Sequence, residues 1–292
     1  MQLPRRRRPE FDESRGYAYP EHLRGSLEAM PTSPGVYVFH GQDGDLPLYI
    51  GKSINLRSRI QQHLRNSDEA RMLRQTTRIT FIRTAGEIGA LLLEAQMIKQ
   101  QHPLFNQKLR RNRQLCSIRL AEQSSPEVVY SKDIDFATSP HLYGLYGSRT
   151  SALQGLRDLA DEHRLCYAAL GLEKVAAGRG CFRAMLKQCA GVCCGRETAQ
   201  EHHSRLLAAL DTLRVNCWPY PGAIGLVERL DDAESPLTQC HVIRNWCYLG
   251  SVERIEQAQS LGKVSAGFDA DCYKILCKPI LGKMADIVPL SL

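Results

Sequence analysis

Two short segments rich in tyrosine and glycine, separated by a turn, constrain the fold of this chain most. The first, Gly35–His40, is rich in Val, Tyr and Phe, which favour extended structure, and Leu48–Ile50 has the same character. Between them, Gly41–Asp45 carries two glycines and two aspartates, which are typical of a turn. The pattern predicts a β-hairpin in which Tyr37 and Tyr49 can face one pocket.

A helix is predicted directly after the hairpin. Asn55 is a suitable N-cap, and the apolar side chains that follow recur every four residues, at Leu56, Ile60 and Leu64. These three residues should face the core. Arg59 and His63 are also four residues apart, so they should lie beside each other on the flank of that apolar stripe.

A third extended segment, Arg78–Thr84, precedes a second helix over Glu87–Gln101. The apolar face of this helix is predicted to comprise Ile88, Leu91, Leu92, Ala95 and Ile98. At 100° per residue, Glu94 falls on the edge of that face, so its carboxylate can reach a cleft without being buried. The sequence His102-Pro103 ends the helix. These elements predict a small α/β unit over residues 31–108.

Composition favours a folded protein with a polyanionic partner. The chain has 292 residues, 43% of them hydrophobic, and a formal net charge of +7. No apolar run reaches the length of a membrane span, and the N-terminus lacks the apolar core of a signal peptide, so we expect a cytoplasmic protein that does not engage a membrane. The basic run Arg5–Arg8, within an irregular segment 1–30, is either a solvated tail or a contact for nucleic-acid phosphates.

Eleven cysteines are many for a cytoplasmic chain, in which thiols stay reduced. Four of them are separated by 14, 7 and 3 residues, and thiolates at such positions can converge on one metal centre: Cys166, Cys181, Cys189 and Cys193. A metal site is favoured over free thiols packed in a core. The spacing does not suit a zinc ribbon, which needs two close CxxC pairs.

The remaining elements are predicted from local patterns. Short strands are expected at Leu115–Leu120 and Glu127–Tyr130, and helices at Thr150–Glu162 and Glu197–Leu213. Extended structure is expected around three later segments: Ile224–Leu230, His241–Leu249 and Cys272–Leu276. Acidic residues in this region are interpreted as turn residues rather than metal ligands: Asp231, Asp232, Asp269 and Asp271.

Singly, each residue of the first unit has an ordinary explanation, but their order is specific. The chain reads GVY, eleven residues, YIGK, two residues and NLRSR, followed by Glu94 and, twelve positions later, Asn106. This order resembles the N-terminal nuclease domain of the UvrC family of nucleotide-excision-repair endonucleases, within the GIY-YIG superfamily. The resemblance implies an α+β protein with a GIY-YIG nuclease domain at residues 31–108. A cysteine-rich mixed helical/β module at 109–213 and a β-rich extension at 214–292 would follow.

The resemblance also implies roles for the site residues. Glu94 would be the sole protein carboxylate on a divalent ion, Mg²⁺ or Mn²⁺, which polarises the phosphate and stabilises the leaving oxygen. Tyr49 would be the general base for the attacking water, with its pKa lowered by the ammonium of Lys52. Tyr37 would position the water or the phosphate.

Two further residues complete the implied site, and one departs from the family pattern. Arg59 would grip the scissile phosphate with its planar guanidinium, and Asn106 would hold the site together or contact DNA. The residue four positions after the arginine is commonly Tyr in UvrC proteins, whereas here it is His63. An imidazole can still donate to a phosphate, and it titrates near pH 6.5.

UvrC proteins carry a similar cysteine-rich segment, which implies a [4Fe–4S] cluster held by the four spaced cysteines. Cys194 could replace Cys193 as the fourth ligand. Full UvrC proteins are about twice this length, and no helix-hairpin-helix or second nuclease signature is found here. The resemblance to an N-terminal half implies one incision, 3′ to a lesion in double-stranded DNA, with UvrA and UvrB locating the damage. A stand-alone GIY-YIG nuclease and a non-catalytic DNA-binding adaptor are the alternatives.

Overall fold

The computed structural model describes residues 17–42, 47–106, 115–121, 125–176, 179–263 and 267–292. The chain divides into two compact units between residues 110 and 111. Arg5–Arg8, which we expected to be a tail or a phosphate contact, lie outside the described residues. Within the described ranges, none of the helices has both the length and the apolar character that crossing a bilayer requires.

The first unit is a three-stranded antiparallel sheet with helices. Its elements are, in chain order, a 3₁₀ helix Glu21–Leu23, α1 Arg24–Glu28, β1 Gly35–His40, β2 Pro47–Ser53, α2 Leu56–Arg65, a 3₁₀ helix Ser67–Glu69, α3 Ala70–Gln75, β3 Arg78–Arg83 and α4 Glu87–Gln101. β1 is central, in the order β2-β1-β3. The predicted hairpin and third extended segment are both confirmed.

Residues 21–28 are helical, although the first thirty residues were expected to be irregular. The reason is tertiary packing that charge composition does not reveal. Leu23 and Met30 are buried in the core of the unit. The Arg57 side chain donates to the carbonyl oxygens of Met30 at 2.7 Å and Glu28 at 3.0 Å, which fixes this segment against α2.

α2 begins and packs as predicted. The Asn55 side chain accepts the backbone N–H of Ser58 at 3.0 Å, and Leu56, Ile60 and Leu64 are fully buried. α4 differs in detail, because Ile88 and Leu91 are only half-buried. The residues that α4 buries are Gly89, Ala90, Leu92, Ala95, Met97 and Ile98.

The second unit contains two four-stranded antiparallel sheets. Its elements are β4 Cys116–Arg119, β5 Glu127–Tyr130, β6 Leu142–Tyr146, α5 Arg149–Glu162, α6 Phe182–Met185, a 3₁₀ helix Val192–Cys194, α7 Ala199–Asp211, β7 Arg214–Val215, β8 Ala223–Leu230, β9 Leu237–Arg244, β10 Cys247–Val252, a 3₁₀ helix Ile255–Lys263, α8 Ala270–Leu281 and β11 Asp286–Leu290. The strand orders are β5-β4-β6-β7 and β10-β9-β8-β11.

One predicted element of this unit is wrong. Cys272–Leu276 lies in the helix α8, not in a strand. The Asp269 side chain accepts the backbone N–H groups of Asp271 and Cys272 and so caps the helix. The buried residues of α8 follow helical spacing: Cys272, Tyr273, Leu276 and Ile280. Asp269 and Asp271 therefore serve the start of a helix, and Asp231 and Asp232 follow the end of β8.

Candidate active site

Tyr37 and Gly51 lie opposite each other in the hairpin of β1 and β2. Tyr37 is buried, with 1% of its surface exposed. A Cβ atom added to Gly51 would lie 2.3 Å from the Tyr37 hydroxyl oxygen, which is far inside van der Waals contact. Only glycine at position 51 therefore leaves room for the Tyr37 hydroxyl group.

Tyr49 lies on the same strand as Gly51, and its ring contacts that of Tyr37 with the centroids 6.2 Å apart. The Tyr37 hydroxyl acts on Tyr49 as a hydrogen-bonding neighbour that lowers the pKa of Tyr49, although burial outweighs it. Tyr49 is half-buried, so its side chain remains accessible at the site. The hairpin thus brings together the two tyrosines that the sequence singled out.

Helix α2 adds two groups to the Tyr37 hydroxyl. Arg59 donates to it through Nε at 3.4 Å, and His63 Nε2 lies 2.7 Å from it. His63 is 3% exposed, and its ring packs edge-on against those of Tyr37, Phe39 and Tyr49. The expectation that His63 lies on the flank of α2 is thus corrected: it is part of the buried wall of the site.

Glu69 is the second partner of His63, and sequence patterns carry no signal for it because it lies in a short 3₁₀ turn outside the motif. Its carboxylate is hydrogen-bonded to His63 Nδ1, and Asn66 Nδ2 donates to the same carboxylate at 3.1 Å. Burial disfavours the charge of Glu69, but the hydrogen bonds of His63 and Asn66 outweigh burial and lower its pKa. An ionised carboxylate only accepts, so Nδ1 of His63 carries a proton and donates to Glu69. In the neutral form of the ring, Nε2 accepts from the Tyr37 hydroxyl.

Glu94 reaches the site from α4 and is half-buried, as its position on the edge of the helix face predicted. Its carboxylate accepts the backbone N–H of Lys52. Burial raises the pKa of Glu94, and this hydrogen bond together with the charges of Lys52 and Arg59 offsets only part of that effect. A partly buried carboxylate is poorly hydrated, so binding a cation would stabilise the charged form of Glu94.

The pKa of Tyr49 is raised, not lowered as we expected. The Lys52 ammonium pairs with Glu87 at 2.6 Å, and Glu87 is a second residue that the sequence did not single out. Burial and the charge of Glu94 raise the pKa of Tyr49. Arg59 and Tyr37 lower it, but by less, so the pKa remains above its usual value. These surroundings therefore do not favour the phenolate form of Tyr49.

Asn106 serves the backbone beneath the site. Its side-chain amide accepts the N–H of Ile50 at 2.9 Å and donates to the carbonyl of Ile50 at 2.8 Å. This two-way pairing ties the segment after α4 to β2, one residue from Tyr49. The geometry fits the first of its two predicted roles, which is holding the site together.

The four spaced cysteines converge in the second unit. The Sγ atoms of Cys166, Cys181, Cys189 and Cys193 all lie within 4.8 Å of one another, and the first three residues are buried. Cys194 is exposed, and its thiol donates to the carbonyl of Gly191 at 3.3 Å. The structure thus groups Cys193, not Cys194, with the other three.

Backbone and side-chain groups support this cluster. The N–H of Cys166 donates to His202 of α7 at 3.0 Å, and the N–H of Gly191 donates to the Cys189 sulfur at 3.3 Å. Burial raises the pKa of Cys181 and raises that of Cys189 to about 11. At Cys166 burial acts in the same direction, but hydrogen bonds from the backbone and from the other thiols outweigh it and lower the pKa.

The donor set fits a metal centre, because four convergent sulfurs without oxygen ligands suit a closed thiolate site. A single tetrahedral ion with bonds of about 2.3 Å would hold its sulfurs roughly 3.8 Å apart. The Cys166 and Cys181 sulfurs are 3.9 Å apart. A four-iron cluster is larger, so binding it would require the loops that carry these cysteines to widen.

Three family models match successive parts of the chain. The UvrC-like GIY-YIG domain covers residues 33–107, the UvrC/Cho excinuclease middle domain covers 115–212, and the excinuclease Cho C-terminal domain covers 223–292. The first match contains every residue of the hairpin, α2 and α4 discussed above. The second contains the cysteine cluster.

Individual proteins agree with these models. Excinuclease Cho of Escherichia coli K12 is 54% identical over 97% of this chain and 95% of its own length. The UvrABC system protein C of Porphyromonas gingivalis is 31% identical over 68% of this chain but 34% of its own length. The magnesium-bound N-terminal endonuclease domain of UvrC from Thermotoga maritima is 32% identical, covers 30% of this chain and 97% of its own, and has a TM-score of 0.28.

The fold and the site define a GIY-YIG nuclease, a hydrolase of phosphodiester bonds. Proteins named excinuclease Cho match nearly the whole chain, so the chain belongs to the excinuclease Cho family. It is accordingly a UvrC-like endonuclease of the excision-repair type.

The contact between Gly51 and Tyr37 generates a prediction. In Gly51→Ala the new methyl group must displace the Tyr37 hydroxyl, so we expect a loss of about 1–3 kcal/mol in unfolding free energy and a large loss of incision. Gly25→Ala is the matched control, because this exposed glycine of α1 has no atom within 4 Å of its added Cβ. Urea unfolding and an incision assay measure both; equal behaviour of the two variants would contradict the assigned contact.

Proposed function

We propose that the protein makes a single incision in damaged double-stranded DNA, on the 3′ side of the lesion, after UvrA and UvrB have located the damage. The proposal rests on family membership and on one observation. Arg59 donates to the Tyr37 hydroxyl at 3.4 Å, the ring of Tyr37 lies beside that of Tyr49, and the charge of Glu94 acts on both tyrosines, so a phenol, a guanidinium and a carboxylate share one region of the domain. This combination suits one phosphodiester.

In-line attack of water on a phosphodiester requires removal of a proton from water and neutralisation of charge on the phosphoryl oxygens. We assign Tyr49 to the attacking water, because it is the half-buried phenol beside the other groups. Arg59 is assigned to the phosphate, since a guanidinium can donate to two of its oxygens at once. Tyr37 orients both through its ring contact with Tyr49 and its hydrogen bond with Arg59.

Glu94 is the proposed ligand of a divalent ion, Mg²⁺ or Mn²⁺. When bound, such an ion supplies Lewis-acid stabilisation of charge on the phosphate and on the departing oxygen. Glu69 and Glu87 are engaged by His63 and Lys52, whereas Glu94 accepts a backbone N–H. Mg²⁺ is commonly held by one or two carboxylates together with water and substrate oxygens, so one carboxylate suffices.

Lesion recognition is assigned to the partners rather than to this chain. Its net charge of +7 favours sequence-independent attraction to the DNA backbone, weakened by salt. A nuclease loaded by UvrA and UvrB would work in the cytoplasm, where these partners meet DNA.

We also propose that residues 31–108, 109–213 and 214–292 form three separate domains.

An incision assay tests the proposal directly. We expect end-labelled duplex DNA with one bulky lesion to be cut once, 3′ to the lesion, only when purified UvrA, UvrB and ATP are present. Cutting of undamaged or branched DNA by the protein alone would favour a stand-alone structure-specific nuclease. Binding without any cutting under all conditions would favour a non-catalytic adaptor.

The proposed metal ligand generates a second prediction. Glu94→Gln keeps the shape of the side chain but removes its charge, so we expect incision to fall below detection while folding and DNA affinity stay within about twofold. Asp68→Asn is the matched control, because Asp68 is an exposed carboxylate of the same unit. Glu94→Gln that cuts in Mg²⁺ at the rate of Asp68→Asn would overturn the assignment.

We also propose that Cys166, Cys181, Cys189 and Cys193 hold a metal centre, of the [4Fe–4S] kind by resemblance to UvrC proteins. The convergence of their sulfurs within 4.8 Å supports a metal centre of some kind. Bound metal would join the loops around α6 to the segment before α7. Its contribution would therefore be to the folding of the second unit.

The third prediction identifies the metal. Protein purified without oxygen should be brown, absorb broadly near 400 nm and contain about four irons per chain. Cys189→Ser should lose the metal, whereas Cys194→Ser should retain it because Cys194 lies outside the cluster. One zinc per chain in colourless protein would replace the iron–sulfur assignment, and metal-free folded protein would mean four core thiols.

A further inference from the structure

A chain of interacting side chains leads away from Tyr49 into the protein. The rings of Tyr49 and Tyr37 lie with their centroids 6.2 Å apart, Tyr37 and His63 Nε2 are 2.7 Å apart, and His63 Nδ1 is bonded to Glu69. His63 and Tyr37 are almost completely buried, with 3% and 1% of their surfaces exposed. These four side chains therefore offer a proton at Tyr49 a path that passes through the buried Tyr37 and His63 to Glu69.

The electrostatics of the site oppose a stable phenolate on either tyrosine. Burial raises the pKa of Tyr37 and that of Tyr49. The Lys52 ammonium, which could have stabilised a phenolate, is paired with Glu87. The proton taken from water must therefore have an acceptor other than a resident tyrosine anion.

We propose that His63 is the terminal proton acceptor of a relay from the attacking water through Tyr49 and Tyr37, and that Glu69 is the positioning residue that holds His63 in the required tautomer. The inference rests on the proposed function of Tyr49. It assigns roles to a histidine that departs from the UvrC pattern and to a glutamate outside the motif.

In the relay each tyrosine gives up its own proton as it receives another, so neither accumulates charge. Water passes a proton to the Tyr49 oxygen, Tyr49 passes its proton to the Tyr37 oxygen, and Tyr37 passes its proton to His63 Nε2. The water oxygen forms the new P–O bond while the bond to the 3′ oxygen breaks, and the leaving oxygen takes a proton from solvent. The imidazolium that results faces the Glu69 carboxylate.

The environment of His63 suits this role. Glu69 fixes the proton on Nδ1 and so presents the Nε2 lone pair to the Tyr37 hydroxyl. Asn66 holds the other oxygen of the same carboxylate, which keeps it aligned with the ring. Three aromatic rings pack around His63, which is 3% exposed, and the Glu69 carboxylate bonded to it stabilises an imidazolium there.

The test compares Glu69→Gln with Asp68→Asn, the neighbouring exposed carboxylate. The amide introduced by Glu69→Gln occupies the same space as the carboxylate but cannot balance an imidazolium, so we expect the single-turnover incision rate to fall by about 10²-fold. Asp68→Asn should retain the wild-type rate, and Glu69→Asp should recover part of it. DNA affinity in Ca²⁺ and the urea midpoint should stay within error for all three variants.

Two further measurements distinguish proton transfer through His63 from a purely structural role of His63 and Glu69. In ¹⁵N-histidine NMR, His63 should be the Nδ1–H tautomer in the wild type and lose that preference in Glu69→Ala. In a His63→Tyr background, which restores the residue common in UvrC proteins, Glu69→Gln should cause no further loss of rate. An equal loss in both backgrounds, or a Glu69→Gln enzyme as fast as Asp68→Asn, would overturn the relay.

Tyr49→Phe distinguishes failure of the relay from failure of the proposed function. It should abolish incision, since a ring without a hydroxyl group can neither accept nor pass a proton. An inactive Tyr49→Phe with a fully active Glu69→Gln would reject the relay and leave the nuclease assignment standing. A fully active Tyr49→Phe would reject both.

Discussion

The nuclease site is organised by the close packing of the Tyr37 hydroxyl group against the backbone of Gly51. Tyr37 is buried, and the absence of a side chain at position 51 of the neighbouring strand leaves room for its hydroxyl group. There the hydroxyl bonds His63 and Arg59, which α2 carries one turn apart, and the Tyr37 ring lies beside that of Tyr49 on the neighbouring strand. The contact between the Tyr37 hydroxyl and the backbone of Gly51 thus determines where the phenol, the guanidinium and the imidazole meet.

Elements with strong local patterns were predictable from the sequence. Leu56, Ile60 and Leu64 recur at helical spacing and are buried, and the N-cap Asn55 begins α2 where expected. Cys272–Leu276 was mistaken for a strand because it is apolar and contains few residues. Its helical conformation depends on the capping of α8 by Asp269 and on buried residues beyond that window.

The positions of the site residues followed from the motif, but their electrostatics did not. Sequence spacing put Lys52 near Tyr49 and suggested a lowered phenol pKa, whereas the ammonium is paired with Glu87, 35 positions away. Burial then raises the pKa of Tyr49. Glu69 was missed for a related reason, because its partnership with His63 depends on how the turn after α2 folds back onto that helix.

The central claim is that Tyr49, Arg59 and Glu94 act on one phosphate around one divalent ion. Anomalous diffraction from crystals grown with Mn²⁺ and a non-cleavable phosphorothioate duplex tests it most directly. The account predicts a manganese peak bonded to the Glu94 carboxylate, the phosphorothioate within hydrogen-bonding distance of Arg59, and the Tyr49 hydroxyl on the side of the phosphorus opposite the 3′ oxygen. Manganese bound away from Glu94, or a phosphorothioate that Arg59 and Tyr49 do not reach, would contradict it.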